Sequence, residues 1–184
     1  MSRITKETST IEHWYPQSKY RDDKQWNAEH PDQRPRDLTN HGDLDYGNLL
    51  AVCKGIITTR EKVQHRHCGE SREDNPLKFN PAADDVESHI SFSTRDGTIL
   101  STDDDFKTQL DTVLNLNNSF LKNNRIAVLN GFTEEIQKRF KATPLSKPYL
   151  DQKLAEWTGS HHSNSLTPYC QIVVYWIRKR LSRP

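Results

Sequence analysis

The segment Thr10-Ile11-Glu12-His13-Trp14 alternates polar and apolar residues, is rich in strand formers and stops at Pro16. It reads as a short strand ending at that proline. The next stretch of chain limits how far a sheet can grow. Residues 17–44 are very polar and include Pro31, Pro35 and Gly42, so they read as one long loop or insert. A chain that interrupts its first strand in this way has only a thin core at its N-terminal end. Residues 2–10 are polar and could add one arm of a hairpin at most.

Asp45-Tyr46-Gly47-Asn48 is turn-like and feeds the apolar run Leu49-Leu50-Ala51-Val52-Cys53, a strand or the first turn of a helix. Residues 54–76 are again polar and carry His65, His67 and Cys68. Ile90-Ser91-Phe92-Ser93 alternates, and Arg95-Asp96-Gly97-Thr98 is a good turn before Ile99, which predicts a β-hairpin. Helices are expected afterwards. Phe106, Leu110, Val113 and Leu114 share a face, with Asp103 to Asp105 at the start where the helix dipole favours acids. Phe120, Leu121, Ile126 and Leu129 mark a second helix ending near Gly131, with Ile136 and Phe140 in a third. Tyr149 to Trp157 is closed by Gly159. Pro168 to about Leu181 is a strongly apolar helix, although its β-branched run also suits a strand.

With 184 residues the chain suits one compact domain, or a small domain with a helical extension. Its 26 basic and 25 acidic residues nearly cancel, so total charge says nothing about nucleic acid. Charge is unevenly placed, however: Arg178 to Pro184 is basic and Asp103-Asp104-Asp105 is acidic. No run of about 18 apolar residues crosses a membrane, and there is no signal-peptide core. Three scattered cysteines do not make a disulfide framework. A reducing cytoplasm fits, and there Cys53 and Cys68 become candidate metal ligands, while Cys170 sits in the apolar last helix as plain core. His161-His162 reads as loop, and His30 and His41 as solvent-facing members of the insert.

One constellation carries chemistry. Phosphodiester hydrolysis of the HNH kind needs a neutral histidine as general base and a hard divalent cation across the phosphate. It also needs an asparagine that pins the loop presenting the histidine. Glu12-His13, Asn48 and the group His65, His67, Cys68 occur in that order. Adjacent strand residues point to opposite faces, so Glu12 and His13 converge only if a strand end or bulge re-aims one of them.

The boxes Ile11-Glu12-His13-Trp14-Tyr15-Pro16-Gln17-Ser18, Asp45 to Cys53, and His67-Cys68-Gly69-Glu70-Ser71-Arg72 with Asn75-Pro76-Leu77 together resemble a known family. Asp96-Gly97-Thr98-Ile99, Val113-Leu114-Asn115-Leu116-Asn117 and Asn124-Arg125 are similar to the same family's tail. It is the HNH-nuclease subunit (PtuB) of Septu-type anti-phage systems, some of which are retron-associated. The resemblance runs from about residue 8 to near the C-terminus. It implies an α+β protein with a ββα-metal nuclease core over residues 1–80 and a β-hairpin plus helical, partner-docking region over 81–184. It implies an ABC/SMC-like ATPase partner (PtuA-like) and a DNA or RNA substrate. In retron-linked versions a reverse transcriptase and its multicopy single-stranded DNA restrain the nuclease.

By that resemblance His13 is the general base and Asn48 fixes its loop. Glu12 with His67, Glu70 or His65 holds magnesium or a similar divalent cation. Cys53 and Cys68 are structural zinc ligands. Separately, the basic residues of the insert, Lys19, Arg21, Lys24, Arg34 and Arg36, could approach a phosphate backbone, and Lys19, Arg21 and Arg72 are the candidate nucleic-acid contacts. Two departures qualify it. Family members carry a Cys-x-x-Cys ahead of the first box, and nothing before Ile11 supplies one. The natural reading frame is therefore expected to extend upstream of Met1. The residue after the last zinc-type cysteine, often a metal ligand in the family, is Gly69. The rival expectation is a non-catalytic module that uses a degenerate HNH fold to hold nucleic acid or a partner.

Overall fold

The computed structural model describes residues 9–39, 41–58, 64–141, 145–159 and 166–182. The expectations for residues 2–8, His161-His162 and the last two residues fall outside these. The chain is mixed α+β, with three separate two-stranded antiparallel sheets among the described residues. It divides into two units, one of residues 4–89 and 101–115, the other of residues 1–3, 90–100 and 116–184. The sequence suggests a single cut at residue 80, whereas 101–115 returns to the N-terminal unit. Lys78 pairs there with Asp103, and Phe79 meets Phe106 edge to face at 4.9 Å.

In the first unit, β1 (Ser9–His13) pairs with β2 (Leu49–Cys53), placing Ser9 opposite Cys53 and His13 opposite Leu49. The apolar run before Cys53 is thus a strand, entered through a 3-10 turn over Tyr46–Asn48. Between the two strands the expected loop contains a helix, α1 (Gln17–Glu29), which begins directly after Pro16. Its sequence hides it because the one residue it buries is Asp23 rather than an apolar stripe. Tyr15 and Arg36 both bond the Asp23 carboxylate, and Arg36 also lies 4.5 Å over the Trp26 ring. Next come β3 (Ile56–Thr58) and β4 (Gln64–Arg66), paired with Ile57 opposite His65, and a single turn of helix, α2 (Gly69–Arg72). Helix α3 (Asp104–Thr108) is capped by Asp103, whose carboxylate accepts from Phe106 N, and continues as a π-helical turn over Gln109–Val113.

The second unit opens with the expected hairpin, β5 (Ser91–Phe92) against β6 (Ile99–Leu100). The tail motifs of the resemblance assemble around it as one structural knot. Asn117 accepts from Ile99 N and donates to Ile99 O, at 2.8 and 2.9 Å, so its amide acts as one more strand partner. Arg125, buried, donates to Gly97 O at 2.6 Å and Leu116 O at 2.5 Å; burial pulls its pKa down to about 10. Gly97 has φ +75°, and a Cβ there would lie 2.5 Å from Lys122 O, so no other residue fits.

Helix α4 (Ser119–Arg139) is one element where two were expected. It buries Leu121, Arg125, Leu129, Phe132 and Ile136 in a single stripe, and Gly131 faces open space, where it weakens the helix without ending it. Helix α5 (Lys147–Trp157) matches expectation. Helix α6 (Cys170–Leu181) settles the helix-or-strand alternative, burying Cys170, Ile172, Val173, Val174, Trp176 and Ile177. It is apolar on nearly all sides because it packs on α4, α5 and β5. Among the described residues, no helix is long and apolar enough to cross a membrane.

Candidate functional site

His13 ends β1, and its Nε2 lies 3.0 Å from the carbonyl oxygen of Asp43. A carbonyl only accepts, so this contact assigns the hydrogen to Nε2 and leaves the lone pair on Nδ1. The Gln17 side-chain amide is 3.4 Å from the same nitrogen, where its oxygen is the compatible atom.

Asn48 holds this arrangement and is 0% exposed. Its Oδ1 accepts from Tyr15 N at 2.6 Å, and its Nδ2 reaches Tyr15 O, His41 O and Gly42 O at 3.2, 2.9 and 3.2 Å. Trp14 N donates to Asn48 O at 2.8 Å. One buried amide therefore ties the residues after His13 to the loop whose next carbonyl grips the His13 ring. His41 stacks on Tyr15 at 4.2 Å and His30 on Trp26 at 4.5 Å, so both rings are half-buried members of the insert with aromatic partners.

Arg72 corrects its expected role. It is 5% exposed and donates to His13 O at 2.6 Å, Trp14 O at 2.7 Å and Asn75 O at 2.8 Å. Burial lowers its pKa, and the charge of Glu12 partly offsets that. Arg72 thus clamps the backbone at the end of β1 and is not available to a phosphate. Lys19 and Arg21 are exposed on α1, as a phosphate contact requires.

The ligands expected for one divalent cation do not gather. Glu12 lies against Gly69, where a Cβ would come within 3.0 Å of its carboxylate oxygen. The missing side chain of Gly69 is therefore what makes room for Glu12. Glu70 is next in the chain, and its Cβ packs beside Gly55. His67 turns away to the cysteines, with its Nδ1 at 3.7 Å from Cys53 Sγ and 3.2 Å from Cys68 Sγ. His65 lies in β4, opposite Ile57.

Cys53, His67 and Cys68 are the one group of three such side chains found among the described residues, their ligand atoms within 4.8 Å of one another. They could hold a metal ion. A tetrahedral zinc, with Zn–S about 2.3 Å and Zn–N about 2.0 Å, sets sulfur and nitrogen about 3.6 Å apart. The two distances bracket that value. The hydrogen bond from the Cys68 thiol, then His67, lowers the Cys53 pKa, while the same bond and burial raise that of Cys68. One thiolate is thus favoured even without an ion.

The backbone builds this cluster tightly. His67 N donates to Gly55 O at 2.7 Å, and Gly55 at φ +68° has no room for a Cβ, which would sit 2.0 Å from His67 O. Cys68 itself has φ +53° and is held by its N–H to Leu114 O at 2.9 Å, while Asn115 donates to Arg66 O at 2.8 Å. Sequence reasoning missed His67 as a partner of the cysteines. The available signal was its adjacency to Cys68, because β3 and β4 return the chain to the end of β2.

No family model, curated protein or solved structure matches this chain. The chemistry is therefore read from the site's own geometry.

Proposed function

We propose that the chain is a metal-dependent phosphodiesterase of the HNH kind, with β1, β2 and α2 as its ββα unit. The observation that supports this best is the Asp43 carbonyl on His13 Nε2, which leaves Nδ1 as the proton acceptor. A general base needs one fixed tautomer and a fixed ring; Arg72 holds the His13 and Trp14 carbonyls, and Asn48 holds Tyr15 to the loop that contacts the ring. In this reading His13 Nδ1 takes a proton from water attacking a phosphodiester, and Lys19 and Arg21 steer the phosphate backbone.

Glu12, which lies against Gly69, and Glu70, the next residue after Gly69, would be the residues to hold magnesium or a similar cation. That cation would neutralise the leaving oxygen. Cys53, His67 and Cys68 would supply three of the four ligands of a structural zinc that fixes the end of β2 to the start of α2. The PtuA-like ATPase partner and the setting in a cytoplasmic anti-phage complex, with DNA or RNA as target, belong to the same proposal and rest on the resemblance of the boxes.

The test is His13→Ala, with His13→Gln as a form that keeps a donor toward Asp43. Loss of nucleic-acid cleavage, and of toxicity on co-expression with the ATPase subunit, is expected from both. Unchanged cleavage in either sinks the nuclease reading. One observation favours the rival, a non-catalytic module that binds nucleic acid or a partner: His67 Nδ1 is engaged by Cys53 and Cys68. Binding without cleavage under every divalent cation would establish that rival.

A further inference from the structure

Leu44 and Tyr46 are the most exposed of the large hydrophobic side chains described, at 94% and 91%. They do not sit on a loose loop. Gly42 N donates to the Asp45 carboxylate at 2.7 Å and Asn48 N to Asp45 O at 2.8 Å, while the buried Asn48 amide holds His41 and Gly42. The turn between them supplies the Asp43 carbonyl that contacts His13. A pinned turn that shows two apolar side chains to water, beside a candidate catalytic ring, has already met the ordering cost of binding something.

The surroundings indicate what that is. Tyr20 of α1 approaches the turn at Gly42, and the same helix exposes Lys19, Arg21 and Lys24. A flat aromatic and an aliphatic side chain, with cations exposed on the helix whose Tyr20 reaches Gly42, match a nucleotide, whose base offers a π-face and whose phosphate offers charge. We propose that Leu44 and Tyr46 form a platform on which an unpaired nucleobase stacks, seating the strand beside His13. This rests on the nuclease reading and specifies its substrate as a strand with at least one unstacked base.

The test uses the full-length His13→Gln protein and a dT20 strand carrying one 2-aminopurine. Anisotropy reads binding, and quenching of the 2-aminopurine reads stacking. Tyr46→Ala should weaken binding about tenfold or more and abolish the quench. Leu44→Ala should give a smaller loss, and Tyr46→Trp should retain both signals. A fully paired hairpin of the same length should bind more weakly than the single strand. Equal binding by Tyr46→Ala and its parent overturns the proposal, as does a parent that does not bind or quench the strand. Cleavage that survives in His13→Gln refutes the nuclease reading instead, and leaves the quench assay able to judge the platform by itself.

Discussion

The two units of this chain are held together by opposite means. In residues 90–100 and 116–184 the buried set is largely apolar: Phe92, Ile99, Leu121, Leu129, Phe132, Ile136, Tyr149, Leu150 and most of α6. Among the described residues of 4–89 and 101–115 the buried hydrophobic ones are Phe106 and Leu110, and the buried polar ones are Asp23, Asn48, His67, Arg72 and Asn80. There the order comes from side chains that bond backbone, and from a cysteine–histidine cluster. A small unit without much core needs such staples. Directional staples also place side chains where a packed core would only fill space. The candidate chemistry lies in the polar unit, as that difference would lead one to expect.

The largest expected effect separates the two units directly. Structural zinc in small domains contributes about 10–16 kcal/mol in zinc-finger peptides. If Cys53, His67 and Cys68 hold zinc, a chelator or Cys68→Ser should remove hydrogen-exchange protection from residues 49–58 and 64–72. Protection in α4 and α6 should persist. Metal analysis of the purified protein should find about one zinc per chain. Simultaneous loss in both units, or loss in neither, breaks the comparison.

Next in size is a change in the apolar unit. Ile172 is 0% exposed in α6. Ile172→Ala should cost about 2–5 kcal/mol, through lost transfer energy and the cavity left behind. Urea midpoints give the size of the loss, and exchange rates should locate it in α4 to α6. A loss below about 1 kcal/mol, flagged by an unmoved midpoint at the resolution of such data, would mean this core is not what holds its unit.

Asn48 tests the opposite mechanism. Asn48→Ala strands the Tyr15 N–H and three carbonyls, at about 1–3 kcal/mol for a buried group left unpaired. Asn48→Asp keeps the acceptor for Tyr15 N but turns an oxygen on the carbonyls of Tyr15, His41 and Gly42. It should therefore destabilise more than alanine does, despite being the closer isostere. Equal or milder loss in Asn48→Asp would show that the amide is not the clamp described.

The same contrast explains what is legible in the sequence. Elements that bury apolar residues at regular spacing are readable: β1, the β5–β6 hairpin and α5 stand where they are expected, whereas the all-round apolar run of α6 also suits a strand. Helix α1 is not, because its inward residue is Asp23, and periodicity of apolar residues cannot report a face held by Tyr15 and Arg36. Helix α4 reads as two at Gly131 because a glycine on an open helix face looks the same in sequence as one that ends a helix. At the site, Asn48 can be placed by its neighbours in the chain. Arg72 and His67 cannot be, since an arginine that clamps backbone and one that meets phosphate have the same local sequence. Only the return of β3 and β4 decides which ligands His67 joins.

The smallest effect is the most specific. Tyr15 donates to Asp23, and burial, then that hydrogen bond and the Asp23 charge, raise its pKa from 10.0 to about 12. Burial works to raise the Asp23 pKa as well, but the hydrogen bonds from Tyr15 and Arg36 outweigh it and hold it below 3.8. In the alkaline window the unfolded chain has released the Tyr15 proton while the native state keeps it. Stability is then fully present below pH 10 and lost as pH rises toward 12. For Asp23 the order reverses: its contribution is present above its unfolded value and lost as pH falls through the lower folded one. Tyr15→Phe should cost about 1 kcal/mol at neutral pH. It should also flatten the alkaline fall while leaving an acid-side loss, because Arg36 still holds Asp23. Urea midpoints measured across both limbs test this. If the alkaline slopes of Tyr15→Phe and the parent coincide, the Tyr15–Asp23 bond does not brace the turn after His13, and the polar unit must rely on Asn48 and Arg72 there.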